Sequence, residues 1–87
     1  MHKVQVHRDA EKALRRLPRE VQAQVAAVIR DLKDDPYCHN AEKLTDRGST
    51  YRIRLGSYRV IYELDTQTRT ILITRIAPRG QQTYRKR

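Results

Sequence analysis

Arg52, Arg54 and Arg59 stand close together in the run Tyr51-Arg52-Ile53-Arg54-Leu55-Gly56-Ser57-Tyr58-Arg59-Val60-Ile61-Tyr62. A guanidinium stays charged at every accessible pH, and its planar fork matches the oxygens of a phosphate. Arg79 and Tyr84 follow in the C-terminal segment, which can bring them to the rim of the same surface. A tyrosine can stack on an unpaired base or give up a phenolic proton. These five residues suit a single-stranded RNA backbone and the charge that grows on a pentacovalent phosphorane. RNA carries its own nucleophile, the 2′-hydroxyl, so such a site requires no metal. The bland alternative is a solvated strand face, on which arginine stems cover apolar surface while their heads stay wet.

The element that must position the arginines is a β-hairpin. β-Branched and aromatic residues alternate on both sides of Gly56-Ser57, and glycine at the first central position suits a tight primed turn. Leu55 then faces Tyr58, Arg54 faces Arg59, Ile53 faces Val60 and Arg52 faces Ile61. With period-two alternation, Tyr51, Ile53, Leu55, Tyr58, Val60 and Tyr62 share one face, and Arg52, Arg54 and Arg59 share the other. Like charges directly opposite on a sheet are destabilising, so an anion is expected to belong there.

Charge distribution points the same way. The chain of 87 residues has a formal net charge of +9. Residues 1–50 hold ten Lys/Arg against eight Asp/Glu, a balance of +2, and residues 51–87 hold nine against two, a balance of +7. A basic C-terminal half favours polyanion partners, and no basic amphipathic helix is present to lie on lipid. One cysteine, Cys38, excludes an internal disulfide framework, and His2, His7 and His39 show no ligand spacing, so neither metal nor cofactor is expected. The apolar runs are too short for a signal peptide or a membrane span, and a cytoplasmic location is expected.

The remaining elements follow from periodicity. Lys3 to Val6 is a short strand. Residues 8–17 form a helix burying Ala10, Ala13, Leu14 and Leu17, with His7 at its N-cap position and Asp9 and Glu11 in its first turn. Pro18 separates it from a second helix running to Lys33, whose stripe is Val21, Val25, Val28, Ile29 and Leu32. The two make an antiparallel helical hairpin that packs on the apolar sheet face. Residues 36–50 are a long connection, with Cys38 and His39 as loop residues and Leu44 as an anchor to the core. After the hairpin the strand continues to Leu64. Asp65-Thr66-Gln67-Thr68 turn, and a third strand from Thr70 to Ile76 places Ile71 and Ile73 on the core side. Pro78 ends the pairing. Counting reversals through the two helices sets the first strand antiparallel beside the last. The fold class is therefore α+β: an N-terminal strand, a helical hairpin and a three-stranded meander in one antiparallel sheet with the helices on one face. Residues 1–87 are expected to form one domain.

At this point the residues carry a family likeness. Ala10-Glu11-Lys12-Ala13-Leu14-Arg15-Arg16-Leu17-Pro18, the Tyr51–Tyr62 hairpin and Arg75-Ile76-Ala77-Pro78-Arg79 with Tyr84-Arg85 resemble the RelE/ParE superfamily of type II toxins, and within it the RelE-like mRNA interferases. The resemblance implies a microbial RNase-like toxin domain that cleaves mRNA in the ribosomal A site. The 2′-oxygen attacks, leaving a 2′,3′-cyclic phosphate and a 5′-hydroxyl. It assigns Arg52 and Arg54 to the two basic hairpin positions, Arg59 and Arg79 to the phosphate clamp, and Tyr84 to stacking or proton transfer. Arg75, Arg85, Lys86 and Arg87 join the RNA-binding set. Two positions depart from many relatives: Arg54 stands where a lysine can serve as base, and Pro78 where a histidine precedes the clamping arginine. Arginine resists deprotonation, so Arg54 is assigned electrostatic work. The implied partners are an antitoxin with an acidic segment that folds over the toxin, the ribosome and mRNA. Two rivals stay open: a ParE-like inhibitor of DNA gyrase, and a non-catalytic RNA-binding homologue.

Overall fold

The computed structural model describes residues 1–44 and 48–78. Its elements are β1 (Lys3–Val6), α1 (Arg8–Arg15), α2 (Arg19–Asp34), β2 (Glu42–Lys43), β3 (Thr50–Leu55), β4 (Tyr58–Asp65) and β5 (Thr70–Pro78). The strands form one sheet in the order β1-β5-β4-β3-β2, with both helices against one face.

Local chemistry explains the helix ends. The His7 Nδ1 accepts from the Asp9 backbone N–H at 3.1 Å, so His7 is the N-cap of α1, and Asp9 and Glu11 sit where the helix dipole favours anions. The helix stops at Arg15, two residues short of expectation, because Pro18 forces the chain to turn. Ala10 is fully buried, while Ala13, Leu14 and Leu17 are half-buried. In α2 the buried residues are Val25, Val28 and Leu32, members of the expected stripe.

The central hairpin has the expected register, with Arg54 opposite Arg59 and Ile53 opposite Val60. Gly56 takes φ +56°, the left-handed conformation that the primed turn demands at that position. Ile53, Val60, Tyr62, Ile71 and Ile73 are completely buried against Val25, Val28 and Leu32, an aliphatic core with one tyrosine at its centre. The Tyr62 hydroxyl donates to the Pro36 carbonyl, tying the loop after α2 to the core. Burial, followed by the neighbouring Cys38 thiol, raises the Tyr62 pKa far above its ordinary value. Tyr51 stacks on Tyr62 with centroids 5.7 Å apart, and Tyr37 tilts onto Tyr51 at 5.5 Å.

Three expectations are corrected. First, β1 lies beside β5 as expected, yet runs parallel to it, with Val4 opposite Ile71 and Val6 opposite Ile73. The reason is β2, absent from the expected elements, which adds one reversal before β3 and so inverts β5 relative to β1. Second, Leu44 does not anchor a loop to the core: it is 40% exposed. Glu42 pairs with Arg52, so strand alternation turns Lys43 to the helix side and Leu44 back to the arginine side. Third, β5 does not end at Ile76: it runs to Pro78, which pairs with Tyr58, and its alternation slips once on the way. Tyr62 pairs with Ile73 but Ile61 pairs with Arg75, so Thr74 is the extra residue of a β-bulge. Its hydroxyl donates to the Ile61 carbonyl at 3.3 Å. Beyond the bulge Ile76, opposite Val60, faces the core.

Candidate nucleic-acid interface

The sheet face away from the helices carries the arginines in two cross-strand rows. One runs Glu42, Arg52, Ile61, Arg75 across β2 to β5, and the next runs Arg54, Arg59, Ala77 across β3 to β5. Neighbouring strands are about 4.8 Å apart, so the four guanidinium stems rise from a patch roughly 10 Å wide. The bulge decides the membership of Arg75. Without it, alternation from Ile71 and Ile73 would aim Arg75 at the core; with it, Arg75 is exposed on the arginine face.

The arginines differ in setting. Arg59 is only 7% exposed, whereas the Arg54 side chain is 56% exposed. The Arg52 side chain is 17% exposed, and its Nη2 donates to the Glu42 carboxylate. The same carboxylate lies 4.0 Å from Arg54 Nη2. A charge-assisted hydrogen bond from Arg52, with the charge of Arg52 and then Arg54 behind it, holds the Glu42 carboxyl below its usual range. Glu42 is the residue of this face missing from the sequence reading. A lone acid ten positions before Arg52 gives no signal until β2 is recognised.

Glu42 is delivered by an unusual loop. His39 and Asn40 both take positive φ, 58° and 56°, a conformation that costs a non-glycine residue free energy. His39 Nε2 is 2.8 Å from the Asp31 carboxylate and Tyr37 N donates to Asp35 at 2.9 Å, so contacts to the end of α2 hold the loop. Cys38 and His39 are loop residues, as expected. Burial and the charges of Asp35 and Asp31 push the Cys38 thiol up, which leaves it a poor nucleophile.

Two hollows flank Arg52. One, of about 260 Å³, is lined by His39, Asn40, Glu42, Arg52 and Arg54. The other, of about 370 Å³, is mainly apolar and is lined by Leu44, Arg52, Arg59 and Ile61. The larger hollow of about 660 Å³, at the far end of the sheet, includes Glu63 and Asp65 and suits a phosphate poorly. Among the described residues no His/Cys/Asp/Glu group is placed to hold a metal, and no helix is long and apolar enough to cross a membrane. Arg79, Tyr84, Arg85, Lys86 and Arg87 of the expected site lie outside the described residues.

Comparisons with known proteins agree with this architecture. Residues 4–83 match the family model of the ParE toxin of the type II toxin–antitoxin system parDE. A chain of the archaeal RelE–RelB complex from Pyrococcus horikoshii OT3 is 32% identical, with a TM-score of 0.84, 92% of this chain and 97% of that one being covered. A chain of the toxin–antitoxin complex RelBE2 from Mycobacterium tuberculosis is 28% identical, with a TM-score of 0.77 and coverage of 90% and 98%. The intact E. coli RelBE complex shares the fold at 19% identity, with a TM-score of 0.79 and coverage of 93% and 100%. Among curated protein sequences there is no match. A family model spanning nearly all of the chain and an archaeal RelE relative at this identity place it in one group: the chain belongs to the RelE/ParE superfamily of type II toxin–antitoxin toxins.

Proposed function

We propose that this toxin is a ribosome-dependent endoribonuclease that cuts mRNA in the A site. The observation that carries the reading is the sheet face on which Arg52, Arg54, Arg59 and Arg75 stand together, with the Glu42 carboxylate against Arg52 and near Arg54. Arg54 and Arg59 are like charges standing opposite one another, and a phosphate bound between them offsets their repulsion. In the proposed reaction the mRNA 2′-oxygen attacks the adjacent phosphorus and the P–O5′ bond breaks. The products are a 2′,3′-cyclic phosphate and a 5′-oxygen that takes up a proton. Arg52, Arg54 and Arg59, with Arg79, neutralise the charge that builds on the phosphorane oxygens, and Tyr84 stacks on a base or relays a proton. The depressed pKa of Glu42 makes it a weak base, so its role is to order Arg52 and Arg54. The chain acts in the cytoplasm and is held silent by an antitoxin whose acidic segment covers the arginine face.

Primer-extension mapping on programmed ribosomes tests this reading. Discrete cuts inside A-site codons are expected from the wild type and none without ribosomes. Removing one such charge-stabilising donor costs about 10²–10³ in rate, so Arg59→Ala with Arg79→Ala should abolish the cuts. A folded wild type that makes no cuts sinks the proposal. The match to the ParE family model favours one alternative, inhibition of DNA gyrase without RNA cleavage. That alternative predicts DNA damage that persists in the double variant.

A further inference from the structure

Leu44 and Ile61 are unexplained by the fold. Leu44 is 40% exposed and Ile61 is half-buried, and both stand on the arginine face, outside the cluster that joins sheet to helices. Between them lies the apolar hollow of about 370 Å³, within the ~300–1,000 Å³ range of small-ligand sites. Among the described residues its other two walls are Arg52 and Arg59, a residue type that packs readily on aromatic rings.

Arg52 also lines the neighbouring polar hollow, where Glu42 Oε1 sits against it and 4.0 Å from Arg54 Nη2. One arginine therefore divides an anion position from an apolar slot. A nucleotide has the same two halves at the same adjacency, a phosphate and a flat base.

Resting on the RNA reading above, we propose that the Leu44–Ile61 slot is a base-binding subsite. It takes one unstacked nucleobase of single-stranded RNA, while the adjoining phosphate displaces the Glu42 carboxylate from Arg52 and Arg54. The occupant is a nucleobase rather than a partner's aliphatic side chain because the slot shares Arg52 with the neighbouring position, which is built for an anion. Apolar walls carry no hydrogen-bond pattern, so the slot selects for the presence of a base and not for its identity.

The test uses the full-length chain and fluorescence anisotropy at low salt with two probes. One is a short 2′-O-methyl oligoadenylate, which has no 2′-hydroxyl to attack; the other is the same oligomer with abasic central positions. Base stacking on a protein side chain corresponds to roughly 5- to 150-fold per base, and the wild type is expected to prefer the base-bearing probe within that range. Leu44→Ser and Ile61→Thr should each erase most of the preference and leave the abasic affinity within about twofold, since they remove contact with a base and not charge. Arg54→Ala should weaken both probes alike and keep their ratio. A wild type that binds the probes equally, or slot variants that weaken both equally, overturns the subsite while the RNA reading stands. A wild type that binds neither probe overturns the subsite, while A-site cutting on programmed ribosomes decides the RNA reading separately. Circular dichroism confirms folding; should Ile61→Thr unfold the sheet, Leu44→Ser at its exposed position decides alone.

Discussion

The two faces of the sheet are built from the same three strands under opposite rules. On the helix side, Ile53, Val60, Tyr62, Ile71 and Ile73 are fully buried, and each is fixed by the space that its neighbours leave. On the other side, Arg54 faces Arg59 and Arg52 faces Ile61, pairings that set charge against charge or charge beside an apolar side chain. The first face is what the chain needs in order to fold. The second holds what folding alone would have removed, which is the reason to look there for function.

The sharpest way to break that contrast is to substitute on each side in turn. Ile71→Ala or Leu32→Ala should cost about 2–5 kcal/mol of unfolding free energy in urea. Arg54→Ala should stay within about 0.5 kcal/mol. Equal losses would mean that the faces are not separable. Arg54→Ala should instead show itself in binding, where the slope of log affinity for single-stranded RNA against log salt falls by about 0.7, one contact's share.

Tyr62→Phe separates the apolar part of the core from the polar tie at its centre. Loss of the hydrogen bond to Pro36 should cost about 1 kcal/mol. Because the native pKa of Tyr62 lies above its unfolded value, its contribution is complete below about pH 10 and is lost as pH rises beyond that. The wild type should weaken in alkali more steeply than Tyr62→Phe, read from unfolding midpoints across pH.

The smallest effect is expected at Glu42. Its native pKa is depressed, so its pairing is intact above the ordinary glutamate value of about 4.3 and fails as pH falls through the lower native value. Arginine side-chain NMR signals from Arg52 should move over that acid window and stay still in Glu42→Gln. At neutral pH the same variant should bind RNA a few-fold more tightly, roughly the worth of one exposed ion pair, because an internal competitor has gone.

How much of this was readable beforehand depends on where local patterns spoke. The register of β3 and β4 was legible because a glycine turn and strict alternation agree over residues 51–62. The two-residue strand Glu42–Lys43 was not, since neither residue favours a strand and pairing to Tyr51 and Arg52 comes from tertiary context. That omission also reversed β1 against β5, misplaced Leu44 and hid Glu42. The bulge had left a trace: Ile71 and Ile73 share one parity and Ile76 has the other, a slip that only an extra residue reconciles with one buried face. Arg52, Arg54 and Arg59 were readable as one face from alternation, whereas Arg75 entered only through the family likeness, and the structure brings all four to one face.

The bulge at Thr74 also decides how the last strand tolerates change. Before it, odd-numbered positions must stay apolar; after it, Ile76 carries that duty and the odd-numbered Arg75 is released. A mutational scan along β5 would therefore keep a steady two-beat rhythm of tolerance and intolerance to Ile73, skip one beat, and resume inverted. Any relative aligned across this strand without a gap at Thr74, yet lacking the bulge, would have its core and its functional positions exchanged, and a residue-by-residue transfer of roles would fail there first.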